Sequence, residues 1–239
     1  TTGIDKPFCY DVGYIIFDTE ENNPPLLKRH FIVEQIWHNL PLFESAYYKT
    51  KRPLYIAAMR AHEAIMDKWG YIMRTMNRDI REYNVTAAYA YNCSFDEKVF
   101  EFNCDWFKCI NPLENIPIYD IWDYAIKFII GENYKKFCEQ YKFFTDTGNY
   151  KTSAEIVYRY ISHNYDFNEE HIGIKDSEIE ARILQTAVII GGEWNTVYKT
   201  NHILPRKKHF AVYVNKNKLY SGTYTRKQVR NDEYNFTTE

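Results

Sequence analysis

Three stretches of the chain hold residue types suited to phosphate chemistry. Residues 171–176 read His-Ile-Gly-Ile-Lys-Asp, residues 92–96 read Asn-Cys-Ser-Phe-Asp, and the chain opens Thr-Thr-Gly. A histidine and carboxylates drawn from separate segments suit a metal-dependent phosphodiester hydrolase. That reaction needs a water in line with the leaving oxygen and neutralised charge on the phosphoryl group. Two divalent ions about 4 Å apart do both. Hard cations such as Mg²⁺ take carboxylate oxygens. A histidine, titrating near neutrality, can accept the proton of the attacking water.

The elements that must carry these residues follow from the apolar pattern. Residues 12–18 read as a strand, 20–25 as a turn and 26–33 as a returning strand. Residues 53–82 place Leu54, Ala58, Ala61, Ile65, Trp69, Ile72 and Met76 at helical spacing, and Pro53 suits the start of that helix. A compact strand at 85–91 runs into Asn92, and a helix is expected after Asp96. A strand at 116–121 precedes a helix from Ile121 to Ile130. Thr152-x-x-Glu155 reads as a capping box opening a helix through Ile161. Asp176 to Ile190 reads as an amphipathic helix ended by Gly191-Gly192, with His171 in the loop before it. Asp96 thus lies just past a strand and Asp176 at a helix start, where ligands of α/β sheets gather. Residues 193–209 read as a connector and 210–225 as a β-hairpin. This order indicates an α/β domain, a mixed sheet flanked by helices.

Composition bounds the reading. The 239 residues suit one large domain or a domain with an extension, and 45% hydrophobic residues can build a core. No apolar run spans a bilayer and no secretory signal is visible, which points to a cytoplasmic protein without a membrane partner. Five cysteines, an odd number without a CxxC pair, read as free thiols in a reducing compartment. A zinc site from Cys104, Cys109 and a histidine is the alternative. Residues 199–230 hold nine Lys or Arg and no Asp or Glu, against a net charge of −11 for the rest of the chain. An acidic body with a basic C-terminal segment fits a polyanion held beside a metal site. Arg206, Lys207 and Lys208, with Tyr213, Tyr220 and Tyr224, could grip a strand by charge and stacking. The alternative is a solvated hairpin.

In order and spacing, these motifs resemble the DEDD exonucleases of the histidine subtype, which include proofreading subunits of bacterial polymerases and ribonuclease T; phage-encoded members are the nearest in character. The second family motif, N-x-x-x-D, corresponds to Asn92 to Asp96. The third, H-x-x-x-x-D, corresponds to His171 to Asp176. The resemblance covers about residues 1–190 and implies a ribonuclease-H-like domain at 1–191, with 192–239 as a basic extension carrying the hairpin. It implies that Asp96 and Asp176 ligate metal, that His171 is the general base and that Asn92 orders the turn presenting Asp96. It implies that Thr1, Thr2 and Ile4 meet the 3′-terminal nucleotide; Tyr91 and Phe95 are candidates for substrate contact. The expected cofactor is a pair of Mg²⁺ or Mn²⁺ ions, and the expected partner is single-stranded DNA or a DNA 3′ end, with RNA as an alternative. The first motif of the family, D-x-E, would stand just before Thr1. Asp5 and Asp11 follow Thr-Thr-Gly and do not replace it by position.

Blander readings compete with each assignment. Asp176 could be a helix N-cap, Asn92 and Asp96 ordinary turn residues, and the five tryptophans core or packing residues. His30, His38, His62, His163, His202 and His209 read as surface or hydrogen-bonding residues. Loss of the first acidic pair would leave an end-binding module without catalysis.

Overall fold

The computed structural model describes residues 1–3, 6–19, 24–46 and 48–198, and the backbone of two strands at 209–213 and 219–223. Strands β1 (Asp11–Ile16) and β2 (Leu27–Val33) form the expected antiparallel hairpin, with Asp11 opposite Ile32 and Ile16 opposite Leu27. Two short helices follow, α1 (Glu34–Trp37) and α2 (Leu40–Glu44).

The single helix expected over 53–82 is instead two, α3 (Arg52–Arg60) and α4 (Trp69–Glu82), with strand β3 (Ile65–Asp67) between them. The amides of Glu63 and Ala64 both donate to the Ala58 carbonyl, and His62 turns at φ 59°. This closes α3, and β3 then pairs parallel to β2, with Phe31 opposite Ile65. Helical spacing runs through the break because periodicity does not register the open edge of β2, whose backbone groups need partners.

Strand β4 (Ala88–Ala90) is shorter than expected and pairs parallel with β5 (Ile118–Asp120). Between them runs α5 (Ser94–Phe107). The helix after β5 is a short α-helix, α6 (Ile121–Tyr124), continued by a π-turn over Ala125–Ile129. Then follow α7 (Glu132–Tyr141), α8 (Ala154–Ser162) and α9 (Gly173–Ile190). The chain is therefore α/β, a mixed three-stranded sheet and a parallel two-stranded sheet flanked by helices. The expected C-terminal hairpin is present as β6 (His209–Tyr213) paired with β7 (Leu219–Thr223). No helix among the described residues is long and apolar enough to cross a membrane.

The capping box expected at Thr152 does not form. Ser153 is the N-cap of α8 and has no side-chain cap bond, while Thr152 Oγ1 accepts from the Trp122 indole at 3.1 Å. The Glu155 carboxylate pairs with Arg159 at 2.8 Å instead of reaching back. Tertiary partners outbid the local motif.

Two hydrophobic cores organise the molecule. One gathers β1 and β2 with α1 to α5 around Phe31, Tyr55 and Trp69. The other gathers α6 to α9 around Tyr124, Tyr134 and Leu184. Helix α9 serves both. Ile172 and Ile174, at its start, pack into the first, and Ile179, Ile183, Leu184 and Ala187 pack into the second. Trp37 and Trp69 are buried as expected, and Trp122 and Trp194 lean on the second core. Trp106 is largely exposed but packs within the protein, stacked on Phe102 and edge-on to Phe8.

Two ties hold the N-terminal segment and β1. Asn103 of α5 has no exposed surface. Its amide donates to the carbonyls of Pro7 (2.9 Å) and Val99 (2.7 Å), and its oxygen accepts from the Cys9 N–H at 3.1 Å. At Gly13, a Cβ would lie 2.1 Å from the backbone of Gly173 and Ile174, so β1 and α9 touch main chain to main chain.

Asn103→Ala should lower stability by roughly 3 kcal/mol, three bonds at about 1 kcal/mol each, with the Cys9 amide left unpaired. Gly13→Ala should cost about 2 kcal/mol through overpacking. In a chain of this size these losses lower Tm by about 6–12 °C and 4–8 °C, which thermal denaturation followed by circular dichroism will read.

Candidate metal centre

The start of α9 sets the centre, and it is capped from a distance. Its N-cap residue, Ile172, offers no side-chain acceptor. The Gly173 N–H instead donates to Asp11 Oδ2 of β1 at 2.7 Å, and Asp11 Oδ1 pairs with His30 Nε2 at 2.9 Å. A carboxylate at this end also suits the helix dipole. Ser177 Oγ donates to the carbonyls of Gly13 (3.0 Å) and Gly173 (2.8 Å). The helix therefore starts three residues before Asp176, earlier than expected. Asp176 lies in the first turn and is not its N-cap. Both oxygens of Asp11 are engaged, so Asp11 supports the centre from beneath.

His171 sits in the loop before α9 with φ 50°, in the left-handed region. Non-glycine residues adopt it only where their surroundings enforce it. The enforcing contacts are visible. The imidazole stacks on Tyr48 with ring centroids 4.5 Å apart and planes 20° apart. Lys51 Nζ lies 4.7 Å from the other partner in this stack, the Tyr48 ring, and donates to the Glu170 carbonyl. Tyr55 Oη donates to the His171 carbonyl at 3.5 Å. His171 Nδ1 faces Glu169 Oε2 at 3.5 Å.

Glu169, His171 and Asp176 bring one donor atom each within 4.8 Å of one another. Asp176 Oδ1 is buried with no hydrogen-bond donor among the described residues unless the Asp176 and Glu169 carboxyls share a proton. A buried carboxylate oxygen without a donor is costly, and a hard cation is a natural partner for it. The donor set, two carboxylates and an imidazole, fits a divalent ion.

More acid surrounds this cluster. Glu180 lies one turn after Asp176 on the same face of α9, and its Oε2 accepts from the Tyr91 N–H at the end of β4 at 3.2 Å. Burial and then the Asp96 charge push its carboxyl well above the usual range. Burial and then Glu169 and Asp11 raise that of Asp176, with Lys51 opposing. Burial and Glu155 raise Glu169. Asp96 is exposed in surface area, yet the protein around it desolvates its carboxyl. That desolvation and Asp120 push it up to about 6. Burial and Lys51 hold His171 below its ordinary value.

The structure thus brings Asp176 and His171 together with Glu169, whereas Asp96, in the first turn of α5 and not in the preceding turn, is linked to Asp176 through Glu180, which feels both charges. Asn92 is exposed at φ 61°, a conformation asparagine tolerates, and its N–H donates to Asp120 Oδ1 at 2.8 Å. The turn that presents Asp96 is thereby tied to β5. Phe95 packs partly against the first core. Thr1 lies near Asp96. Thr2 is buried, its hydroxyl donating to the Lys6 carbonyl at 3.2 Å, so its side chain serves the turn. Ile4 lies outside the described residues, as do Arg206, Lys207 and Lys208 and the side chains of the hairpin. Cys104 and Cys109 touch, but no histidine joins them among the described residues, and all five cysteines are free.

Sequence reasoning missed Glu169, Glu180, Tyr48 and Lys51. Glu180 had a usable signal, four residues after Asp176 on a predicted helix. Glu169 had only its nearness to His171. The other two lie more than 100 residues away in sequence, with no local signal. No family model, curated protein or solved structure matches the chain.

The raised carboxyls give a signed pH dependence. Folded carboxyls that hold protons beyond their unfolded range make stability fall as pH rises from about 4 through about 6 for Asp96 and on through about 8 for Asp176. A divalent cation favours the ionised forms and opposes that loss. Added Mg²⁺ or Mn²⁺ should therefore raise Tm more at pH 8 than at pH 5. Asp176→Asn should remove most of this shift while raising Tm in chelator by about 2–4 °C, the equivalent of about 1 kcal/mol of relieved repulsion. Differential scanning fluorimetry across pH, with cation and with chelator, reads both.

Proposed function

We propose that this chain carries the centre of a metal-dependent 3′–5′ exonuclease with a ribonuclease-H-like arrangement, acting on DNA ends. The observation that carries the reading is the convergence of His171 with Asp176, whose buried oxygen meets no donor among the described residues when the site is ionised, next to Glu169. Asp96 and Glu180 share the same electrostatic field. The motif resemblance supplies the reaction class, and the closeness of His171 and Asp176 to Glu169 supports it.

In this reading Asp96 and Asp176 hold the ions, with Glu169 and Glu180 within reach of the same charge. The bound Mg²⁺ or Mn²⁺ pair would supply Lewis-acid neutralisation of the phosphoryl oxygens and activation of water. His171, kept low in pKa and therefore neutral at pH 7, accepts the proton of the attacking water. The stack on Tyr48 fixes the imidazole plane and spares the entropy of ordering it at each turnover. In this reading Thr1, Asn92 and Phe95 would meet the terminal nucleotide, as the resemblance implies. The basic segment with Arg206, Lys207 and Lys208 would hold the strand through its phosphates.

His171→Ala should lower cleavage of a 5′-labelled single strand by about 10²–10³-fold while leaving strand affinity in Ca²⁺ within about twofold. Gel-resolved digestion of matched DNA and RNA strands, with a protein that includes any residues preceding Thr1, tests this. Unchanged turnover in the mutant sinks the assignment. Strand binding without cation-dependent cleavage in the wild type points to an end-binding module, and preferential loss of RNA to a ribonuclease.

A further inference from the structure

Lys51 ends the 3₁₀ turn Lys49–Lys51 that leads into α3, 119 residues before Glu170. In space it stands beside the metal centre, and its positive charge is felt at Glu169, His171 and Asp176 alike. A lysine among carboxylates ordinarily closes an ion pair. Lys51 forms none among the described residues. Its ammonium is held instead over the Tyr48 ring, 4.7 Å from the centroid, and donates to the Glu170 carbonyl. Glu155, the other acid felt at His171 and Glu169, is taken by Arg159 at 2.8 Å.

An ammonium carries three N–H donors, and the Glu170 carbonyl takes one. Two remain, beside a cluster in which Asp176 Oδ1 receives no donor from Lys51. The Tyr48 ring and the carbonyl thus hold the cation next to the candidate ligands without letting it pair with them. The charges explain what such a cation is suited to. The two carboxylates of Glu169 and Asp176, with a neutral imidazole, are balanced by one divalent ion. Lys51 is then left as positive charge without a counter-ion, and a phosphodiester monoanion is its complement.

We propose that Lys51 is a catalytic residue of this centre, its ammonium contacting a non-bridging oxygen of the scissile phosphodiester. The inference rests on the exonuclease reading and adds to it a cation supplied by the protein itself. In the step, the water oxygen bonds to phosphorus and its proton passes to the His171 imidazole. The bond to the leaving 3′-oxygen breaks, the electron pair stays on that oxygen, and a proton from solvent completes the hydroxyl. Lys51 transfers no proton. It meets the negative charge that builds on the phosphoryl oxygens, and such a donor acts best when held in place beforehand. The Tyr48 ring does this for both groups, since it stacks on His171 and carries Lys51. A lysine suits the task as a point charge on phosphate.

The test uses the full chain, with any residues preceding Thr1, and three 5′-labelled single DNA strands. One is all phosphodiester, the second has an uncharged methylphosphonate at its 3′-terminal linkage, and the third has the methylphosphonate at an inner linkage. Binding is read by fluorescence anisotropy in Ca²⁺. Lys51→Met should weaken binding of the first and third strands about fivefold and of the second by less than about twofold, because the charge it would meet is already gone. In Mg²⁺, kcat on the first strand should fall about 10²-fold, and Lys51→Arg should recover it to within about tenfold of wild type. Lys51→Gln, polar and uncharged, repeats the comparison if the Met variant does not fold. Equal weakening on all three strands assigns Lys51 to support of the loop through the Glu170 carbonyl and overturns the proposal. So does a kcat within about threefold of wild type. Wild type without strand binding or cation-dependent cleavage overturns the exonuclease reading and this inference with it. Cleavage by wild type with an indifferent Lys51→Met variant overturns this inference alone.

Discussion

The crossing of β1 and α9 is the constraint on which the rest of the molecule depends. At Gly13 and Gly173 the two backbones meet with no room for a Cβ on the strand. The approach is locked by Asp11 receiving the Gly173 N–H and by Ser177 bonding the Gly13 carbonyl. A strand and a helix held this closely cannot slide or rotate against each other. The position of Asp176 and the direction in which Glu180 projects follow from that contact. So does the route by which α9 passes from the first hydrophobic core into the second.

That route explains why the candidate centre lies where it does. Two cores pack on one helix, and the polar turn of α9 between Ile174 and Ile179 falls between its contacts with the two. Acids gather there whose ionisation burial resists. Such crowding is unfavourable for the fold by itself and is tolerated because the surrounding packing over-determines it. The same economy appears in the backbone: both Asn92 and His171, one from each motif, sit in the left-handed region, held by Asp120 on one side and by Tyr48 and Tyr55 on the other.

Much of this organisation was legible in the residues. The β1–β2 hairpin, the strand before Asn92, the helix of α9 and the C-terminal hairpin all follow from local period and turn chemistry. The two motifs also named Asp96, His171 and Asp176. The misreadings have a common cause. The helical pattern over 53–82 concealed β3 because a strand's need for an edge is not a property of the strand's own residues. Thr152 and Glu155 formed no capping box because Trp122 and Arg159 offered them better partners. Asp11, set aside by its position relative to Thr-Thr-Gly, turned out to cap α9 across 162 residues of sequence.

The sequence by itself determined which chemistry the chain can attempt, because residue type and spacing decide what donors a short segment can present. Histidine, aspartate and an amphipathic helix in that order are readable without coordinates. Only the tertiary structure decided which acids share the site. Glu169 and Glu180 joined it, Asp11 was committed beneath it, and Tyr48 with Lys51 took hold of the imidazole from a distant turn. The physical reason is that electrostatic coupling and hydrogen bonding act over a few ångströms of space regardless of separation along the chain, and the packing of α9 against β1 and both cores sets those distances.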